Sequence, residues 1–390
     1  MSELKVNSIK GTGASTAAIT IDSSSGGCSA NITNNLTNRN LIINGAMKVA
    51  QRGTSSTSSS YQTVDRFEMH YLGTDESPTQ AQVDVASGTT PYTLGFRKAF
   101  GITNGNQTGG AGAGDYIWIQ YHIEAQDLAN SGWNYTSTSS YVTLSFWIKS
   151  SVAQDFKGYL RTKDGTNYMY PFATGSLSAD TWTKVTKTIP GNSNLVINND
   201  NEVGMQINIL PFMGTNTTSN SVTENAWAEY VSAGRIKDNT TTWYTTNDAT
   251  LQITGMQLEV GEIASDFEHR TFEDDFQKCL RYYEQMSSYG LGAGYFAVGY
   301  NESSSQCNHA ILYKAYKRAT PTVTTNGDSN FKNHNTGSSV ALSNLSIQGI
   351  SPMSCRGEAI SSSSVLSDGG CSILASFDTD DAIIKIDAEL

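Results

Sequence analysis

From residue 141 to 149 the chain alternates without a break. Val142, Leu144, Phe146 and Ile148 fall on one side, and Tyr141, Thr143, Ser145, Trp147 and Lys149 on the other. Successive side chains of a strand point to opposite faces, so this stretch predicts a β-strand with one buried and one exposed face. Further strands are expected at 116–123, 159–162, 182–189, 203–210 and 250–260, with turn residues between them. Asp164-Gly165 is a tight-turn pair and predicts a hairpin between strands at 156–163 and 166–172. Ser, Thr and Asn, abundant in the intervals, compete with helical hydrogen bonds for the backbone.

The 390 residues are more than one core of ordinary size accommodates. Residues 1–39 carry two short apolar stretches, around Val6 and Ile19, joined by Gly- and Ser-rich sequence. Such a segment cannot bury a core alone and is expected to intertwine with its copies or dock on a partner. Residues 40–270 read as one large β-sandwich, a jelly roll in its strand number. Residues 271–286 read as a linking helix. Thr271 and Asp274 suit a capping box, and Glu273, Asp274 and Asp275 favour its N-terminus. Phe276, Leu280 and Tyr283 lie on one apolar stripe, which three copies could bury on a common axis. Residues 287–390 read as a smaller β domain, with strands at 295–300, 310–316, 322–324, 346–350 and within 372–386. Its core is thin, and trimerisation would cover what one copy exposes. The expected fold class is therefore all-β: an N-terminal segment, a β-sandwich, one short helix and a C-terminal β domain, assembled as a homotrimer.

The formal net charge is -11. No cluster of Lys and Arg supports nucleic-acid or anionic-membrane binding. The five cysteines, Cys28, Cys279, Cys307, Cys355 and Cys371, have no CxxC spacing and read as free thiols of a protein made in a reducing cytoplasm, with a Cys355–Cys371 bridge as the alternative. No secretory signal and no run of about 18 apolar residues is visible.

Several stretches resemble a family of tail-fibre proteins of marine tailed phages that infect cyanobacteria and other seawater bacteria. They are Leu4-Lys5-Val6-Asn7-Ser8-Ile9; Asn40-Leu41-Ile42-Ile43-Asn44-Gly45-Ala46-Met47 with Gln51-Arg52-Gly53 and Asp65-Arg66-Phe67; and Gln257-Leu258-Glu259-Val260-Gly261 followed by Asp266-Phe267-Glu268-His269-Arg270 and Cys279-Leu280-Arg281-Tyr282-Tyr283. The closing Ile386-Asp387-Ala388-Glu389-Leu390 is similar to the ends of fibre tips. The resemblance implies a trimeric fibre with a jelly-roll domain like those of carbohydrate-binding modules. With about 40 residues ahead of the sandwich, a stubby fibre, or the distal piece of a composite one, is expected. The partners so implied are further copies of the chain, tail nozzle or adaptor proteins through residues 1–39, and a host surface polysaccharide. The location implied is the virion tail.

A sugar ring presents a C–H face that aromatic rings cover well. Trp118, Trp133, Trp147, Trp182, Trp227 and Trp243 are therefore candidates, and the loop pairs Trp133 with Tyr135 and Trp243 with Tyr244 are preferred because loops carry binding. In the C-terminal region Tyr289, Tyr295 and Tyr300 could stack, and Asn333 and His334 could bond hydroxyls. No cofactor is implied. The separated carboxylates Asp65, Asp266 and Glu268 suit either a structural calcium ion or an ion-pair network that closes the sandwich. No HExxH, GxSxG or phosphate-loop motif occurs, and no pair of carboxylates stands out as glycosidase machinery. The expected function is glycan binding for host adsorption, without catalysis. The alternatives are a purely structural tail component and a glycan depolymerase.

Overall fold

The computed structural model describes residues 6–10, 12, 18–21, 24, 28–30, 38–287, 294–335, 338–377 and 382–390. Strand is the dominant regular structure of the described chain, as the alternation predicts. Two six-stranded antiparallel sheets form a sandwich. One runs edge to edge through Thr183–Pro190, Tyr141–Ser150, Thr250–Val260, Lys98–Thr103, Thr79–Asp84 and Ser55–Ser56. The other runs through Ala228–Glu229, Tyr168–Ser176, Asp155–Thr162, Val203–Met213, Tyr116–Glu124 and Phe67–Leu72.

The inner faces share one core. Leu144, Phe146 and Ile148 of the first sheet join Ile119, Ile207 and Ile209 of the second. Each such side chain contributes roughly 1.5–3 kcal/mol by leaving water. The Asp164-Gly165 turn is where expected, and Gly165 takes the left-handed φ of 57° that the turn requires. The ends of the sandwich chain meet at Gly45. Its backbone accepts from the Met256 amide at 2.9 Å, and a Cβ there would sit 2.1 Å from the Met256 carbonyl oxygen. Only glycine fits that approach.

The helix is shorter than expected. It spans Phe272–Leu280 with both halves of the Thr271/Asp274 capping box formed. Tyr283–Ser287 is then a strand, not helix, paired with Ile383–Asp387. The apolar stripe is correspondingly not free for other copies. Leu280 and Tyr283 are buried within their own chain, and the Arg52 guanidinium covers the Tyr283 ring at 3.5 Å. Phe276 stays half-buried, stacked on the exposed Phe272.

Beyond the helix a closed six-stranded barrel runs Tyr295–Asn301, Gln306–Leu312, Ser354–Ser361, Ser338–Gln348, Phe331–Asn335 and back through Cys371–Ser376. A three-stranded sheet of Tyr283–Ser287, Ile383–Asp387 and Thr322–Thr325 lies between it and the sandwich sequence. The strand expected at 310–316 is displaced to Gln306–Leu312, held by pairing with Ser354–Ser361. That partner strand escaped sequence reading because its inward residues, Cys355, Gly357 and Ala359, are small. Cys279, Cys307, Cys355 and Cys371 are free thiols. In the N-terminal segment Ser8–Ile9, Ile19–Ile21 and Cys28–Ala30 form a small antiparallel sheet.

Candidate functional site

Apart from the opening Leu4–Ile9, the stretches quoted for the resemblance converge on a joint. The Asn40 side chain donates to the Met256 carbonyl at 3.0 Å and accepts from the Leu258 amide at 3.1 Å. Its backbone amide donates to Glu268 at 2.8 Å, and Arg270 donates to Glu268 at 2.8 Å. Asn44 donates to the Val49 and Asp65 carbonyls. Asp65 accepts from the Gln51 amide and side chain, and the same Gln51 side chain reaches the Tyr283 carbonyl. Arg52 pairs with Asp387 and Glu389, and buried Arg66 with Glu389.

The carboxylates named for calcium or an ion-pair network are engaged within the chain. Asp65 is committed to Gln51 and Glu268 to Asn40 and Arg270, while Asp266 offers its backbone oxygen to Arg39. Among the described residues no group of three His, Cys, Asp or Glu is placed to hold a metal. Burial pushes the Asp65 carboxyl up to about 6, against the opposing pull of Arg52 and Gln51.

A different surface has the chemistry of a ligand site. On the Tyr116–Glu124 strand, Ile117, Ile119, Tyr121 and Ile123 enter the core. Tyr116, Trp118, Gln120 and His122 therefore lie on the sheet's outer face. The register extends this outer face across the sheet. One row is Glu68, Gln120, Asn208 and Tyr159; the next is His122, Gln206 and Arg161. Polar groups in such rows bond sideways: Gln120 donates to Asn208 at 2.9 Å, and Gln206 meets His122 at 3.0 Å.

Walls stand on both sides of these rows, which is why polar groups on an outer face are nearly buried. At one end Tyr61 and the Leu390 carbonyl contact His122 at 3.2 and 3.0 Å. Burial lowers the His122 pKa to about 4, with Glu68 opposing the shift. At the other end Ile236 packs on Tyr159, Leu210, Met213 and half-buried Trp118. Trp118 is stacked on Tyr116 at 4.2 Å, and Arg235 lies over its ring at 5.5 Å. The Trp118 indole N–H and one donor of the Asn208 amide, which is fully buried, have no acceptor among the described residues. The half-buried Trp118 ring, stacked on Tyr116 beside these polar rows, is suited to the C–H face of a sugar.

The residues expected from sequence fall elsewhere. Trp243 and Tyr244 are completely buried in the sandwich core, with the Trp243 N–H on the Thr250 carbonyl and the Tyr244 hydroxyl on Asp115. Trp133 is also core, its N–H on the Ser140 carbonyl, and Tyr135 packs beside it with its hydroxyl on the Ile197 carbonyl. Their loop context disguised core aromatics, since the polar residues around them cover the rings. Asn333 points into the barrel, bonded to His309 and Ser361. Tyr295, Tyr300 and His334 are on the barrel surface, and the rings of Tyr295 and His334 are 6.1 Å apart. Tyr289 lies outside the described residues. Trp147, on the other sheet's outer face, lines a recess of about 280 Å³ with Phe96, Phe267 and His269. Gln120, Gln206, Asn208, Arg161 and Arg235 were missed. For the first three the signal was available as polar residues alternating with Ile in 116–124 and 203–209, whereas Arg161 and Arg235 carry no such pattern.

No family model matches the chain, and no curated protein matches it. Solved structures similar to it include the enzymatically active domain of tailspike protein 4 of bacteriophage CBA120, at 12% identity and a TM-score of 0.30 over 57% of this chain and 21% of that one. The N-terminal cellulose-binding domain of Cellulomonas fimi β-1,4-glucanase C is 10% identical, at a TM-score of 0.25 over 56% of this chain and 99% of that one. A family 11 carbohydrate-binding module of Clostridium thermocellum, solved with a mixed-linked tetrasaccharide, is 11% identical, at a TM-score of 0.25 over 54% and 98%. The chain thus spans about a fifth of the tailspike's length. At scores this low, neither ligand nor activity passes from those proteins to this one.

Proposed function

We propose that this chain is a tail-fibre component of a tailed phage that binds a host cell-surface glycan along the outer face of the Tyr116–Glu124 sheet. The observation that carries the reading is the half-buried Trp118 on the outer sheet face, stacked on Tyr116 with Arg235 over its ring, beside the polar rows of Gln120 and Gln206. Binding without cleavage is favoured because glycosidases need two opposed carboxylates, whereas the carboxylate of these rows, Glu68, is engaged by His70 at 3.0 Å. Residues 1–39 act as the attachment segment towards the tail, and the virion is the place of action. Several copies give weak single sites useful avidity. A homotrimer is the proposed assembly, supported by the exposed Val298, Tyr300 and Leu312 on the barrel. The converging motif joint favours one second reading, a purely structural tail component. A glycan array probed with the native protein and with Trp118→Ala separates the two. Glycan binding that Trp118→Ala abolishes supports the first; no binding to any glycan supports the second.

A further inference from the structure

Buried and half-buried arginines in this protein mostly stand beside a carboxylate. Arg66 and Arg52 have Glu389, Arg281 has Glu124 and Arg270 has Glu268. That is the expected arrangement, because a guanidinium taken out of water needs a compensating charge. Arg161 and Arg235 break it. Neither has a carboxylate within ion-pair distance among the described residues, although acidic residues outnumber basic ones by 36 to 25 in the chain.

Both lie on the outer face of the Tyr116–Glu124 sheet and around the same rings. Arg161 stacks over Tyr230 at 3.6 Å, and Arg235 lies 5.8 Å from that ring and 5.5 Å from Trp118. Both are charged neighbours of the buried Tyr159 hydroxyl, whose pKa burial nevertheless raises to about 12. Their neutral contacts leave donors over. With the Asn167 amide turned so that its oxygen faces the guanidinium, Arg161 donates to it at 2.7 Å, and Arg235 donates to Ser232 at 3.3 Å, while the Nε of each is buried without an acceptor. Lys163, just past the end of the same strand, adds a third cation; burial and the Arg161 charge both lower its pKa. Two guanidiniums without carboxylates, set among aromatic rings on the outer sheet face, form a receptor for an oxyanion carried on a ring.

We infer that this face takes an anionic glycan, a sugar whose carboxylate or sulfate is held between Arg161 and Arg235 while Trp118 and Tyr230 lie against the ring. This rests on the glycan-binding reading above and adds the charge of the ligand.

The test measures calorimetric binding of the native chain to matched pairs of oligosaccharides. One pair is oligogalacturonate and its methyl ester; the other is a sulfated galactan and its desulfated form. The acidic member of one pair should bind and its neutral partner should not, and which pair responds tells carboxylate from sulfate. Binding should weaken as salt is raised from low to high ionic strength. Arg161→Gln and Arg235→Gln should each weaken acidic binding roughly tenfold or more, the scale of one charge-assisted hydrogen bond, with melting temperatures unchanged. Equal affinity for both members of each pair, or binding confined to neutral glycans, overturns the assignment of charge and leaves glycan binding standing. Absence of binding to every oligosaccharide, neutral or acidic, overturns both.

Discussion

Arg66 and Glu389 stand 323 residues apart in sequence and form an ion pair inside the protein, with the Arg66 guanidinium lying 3.5 Å from the centre of the Tyr282 ring. Burial opposes the charge on Arg66, but Glu389 together with the surrounding Tyr282, Tyr121 and Tyr61 outweighs it, and the guanidinium pKa is raised. The pair ties the start of the sandwich to the strand that follows the barrel. Removing one partner strands the other as an uncompensated buried charge, at roughly 3–5 kcal/mol. Arg66→Met and Glu389→Met should each lower stability to urea on that scale. The double variant should be more stable than the sum of the two predicts. Strict additivity would show that the two side chains act independently.

The same joint should respond to pH in two opposed ways. His122 has its folded pKa lowered from 6.5 to about 4, so the stability gained by keeping it neutral is complete above pH 6.5 and is lost as pH falls towards 4. Asp65 has its folded pKa raised from 3.8 to about 6, so the stability gained by keeping it protonated is complete below pH 3.8 and is lost as pH rises through 6. Each contributes on the order of 3 kcal/mol across its window. Between pH 4 and 6.5 the native chain should therefore show a shallow stability profile. His122→Gln should become more stable on acidification relative to the native chain, and Asp65→Asn less stable. Melting curves at closely spaced pH values check both signs, and parallel profiles for the three proteins would refute the pairing.

Tryptophans should divide into two classes. Trp243 is completely buried and Trp133 nearly so, while Trp118 is half-buried on the outer sheet face. Trp243→Ala should cost roughly 3–5 kcal/mol through lost burial and the cavity left behind. Trp118→Ala should cost much less stability and remove glycan affinity. A Trp133→Phe variant that loses glycan binding while melting normally would move the site back to its loop.

What could be read in advance follows from how much signal a residue's neighbours supply. The strand at Tyr141–Ser150 was legible because each inward residue is large and apolar. The strand at Ser354–Ser361 was not, because Cys355, Gly357 and Ala359 leave no contrast against Arg356 and Glu358. The helix start was legible from Thr271 and Asp274, but its end was not: Tyr283 and Glu284 continue the helical spacing and are drawn into a sheet by Ile386 and Asp387, about 100 residues on. The outer-face site was hidden for the same reason. Gln120 and Asn208 become neighbours only through strand pairing, whereas the loop aromatics that advertised themselves turned inward to the core.

The barrel carries the remaining expectation about assembly. Val298 and Tyr300 alternate outward on Tyr295–Asn301, and Leu312 points outward from the neighbouring strand. All three are more than half exposed. Large apolar residues adjacent on one face gain by covering one another, each worth roughly 1.5–3 kcal/mol when fully buried. The 271–286 stripe once expected to do this is already covered, so the barrel row is the surface on which copies should meet. Light scattering of the full chain should return about three times the 42.0 kDa chain mass. Val298→Glu together with Tyr300→Lys should yield single chains, with the urea midpoint of the sandwich little changed because exposed substitutions cost about 0.5 kcal/mol or less. A native chain that is monomeric at micromolar concentration would remove the trimer, and a double variant that stays trimeric would move its interface away from the barrel.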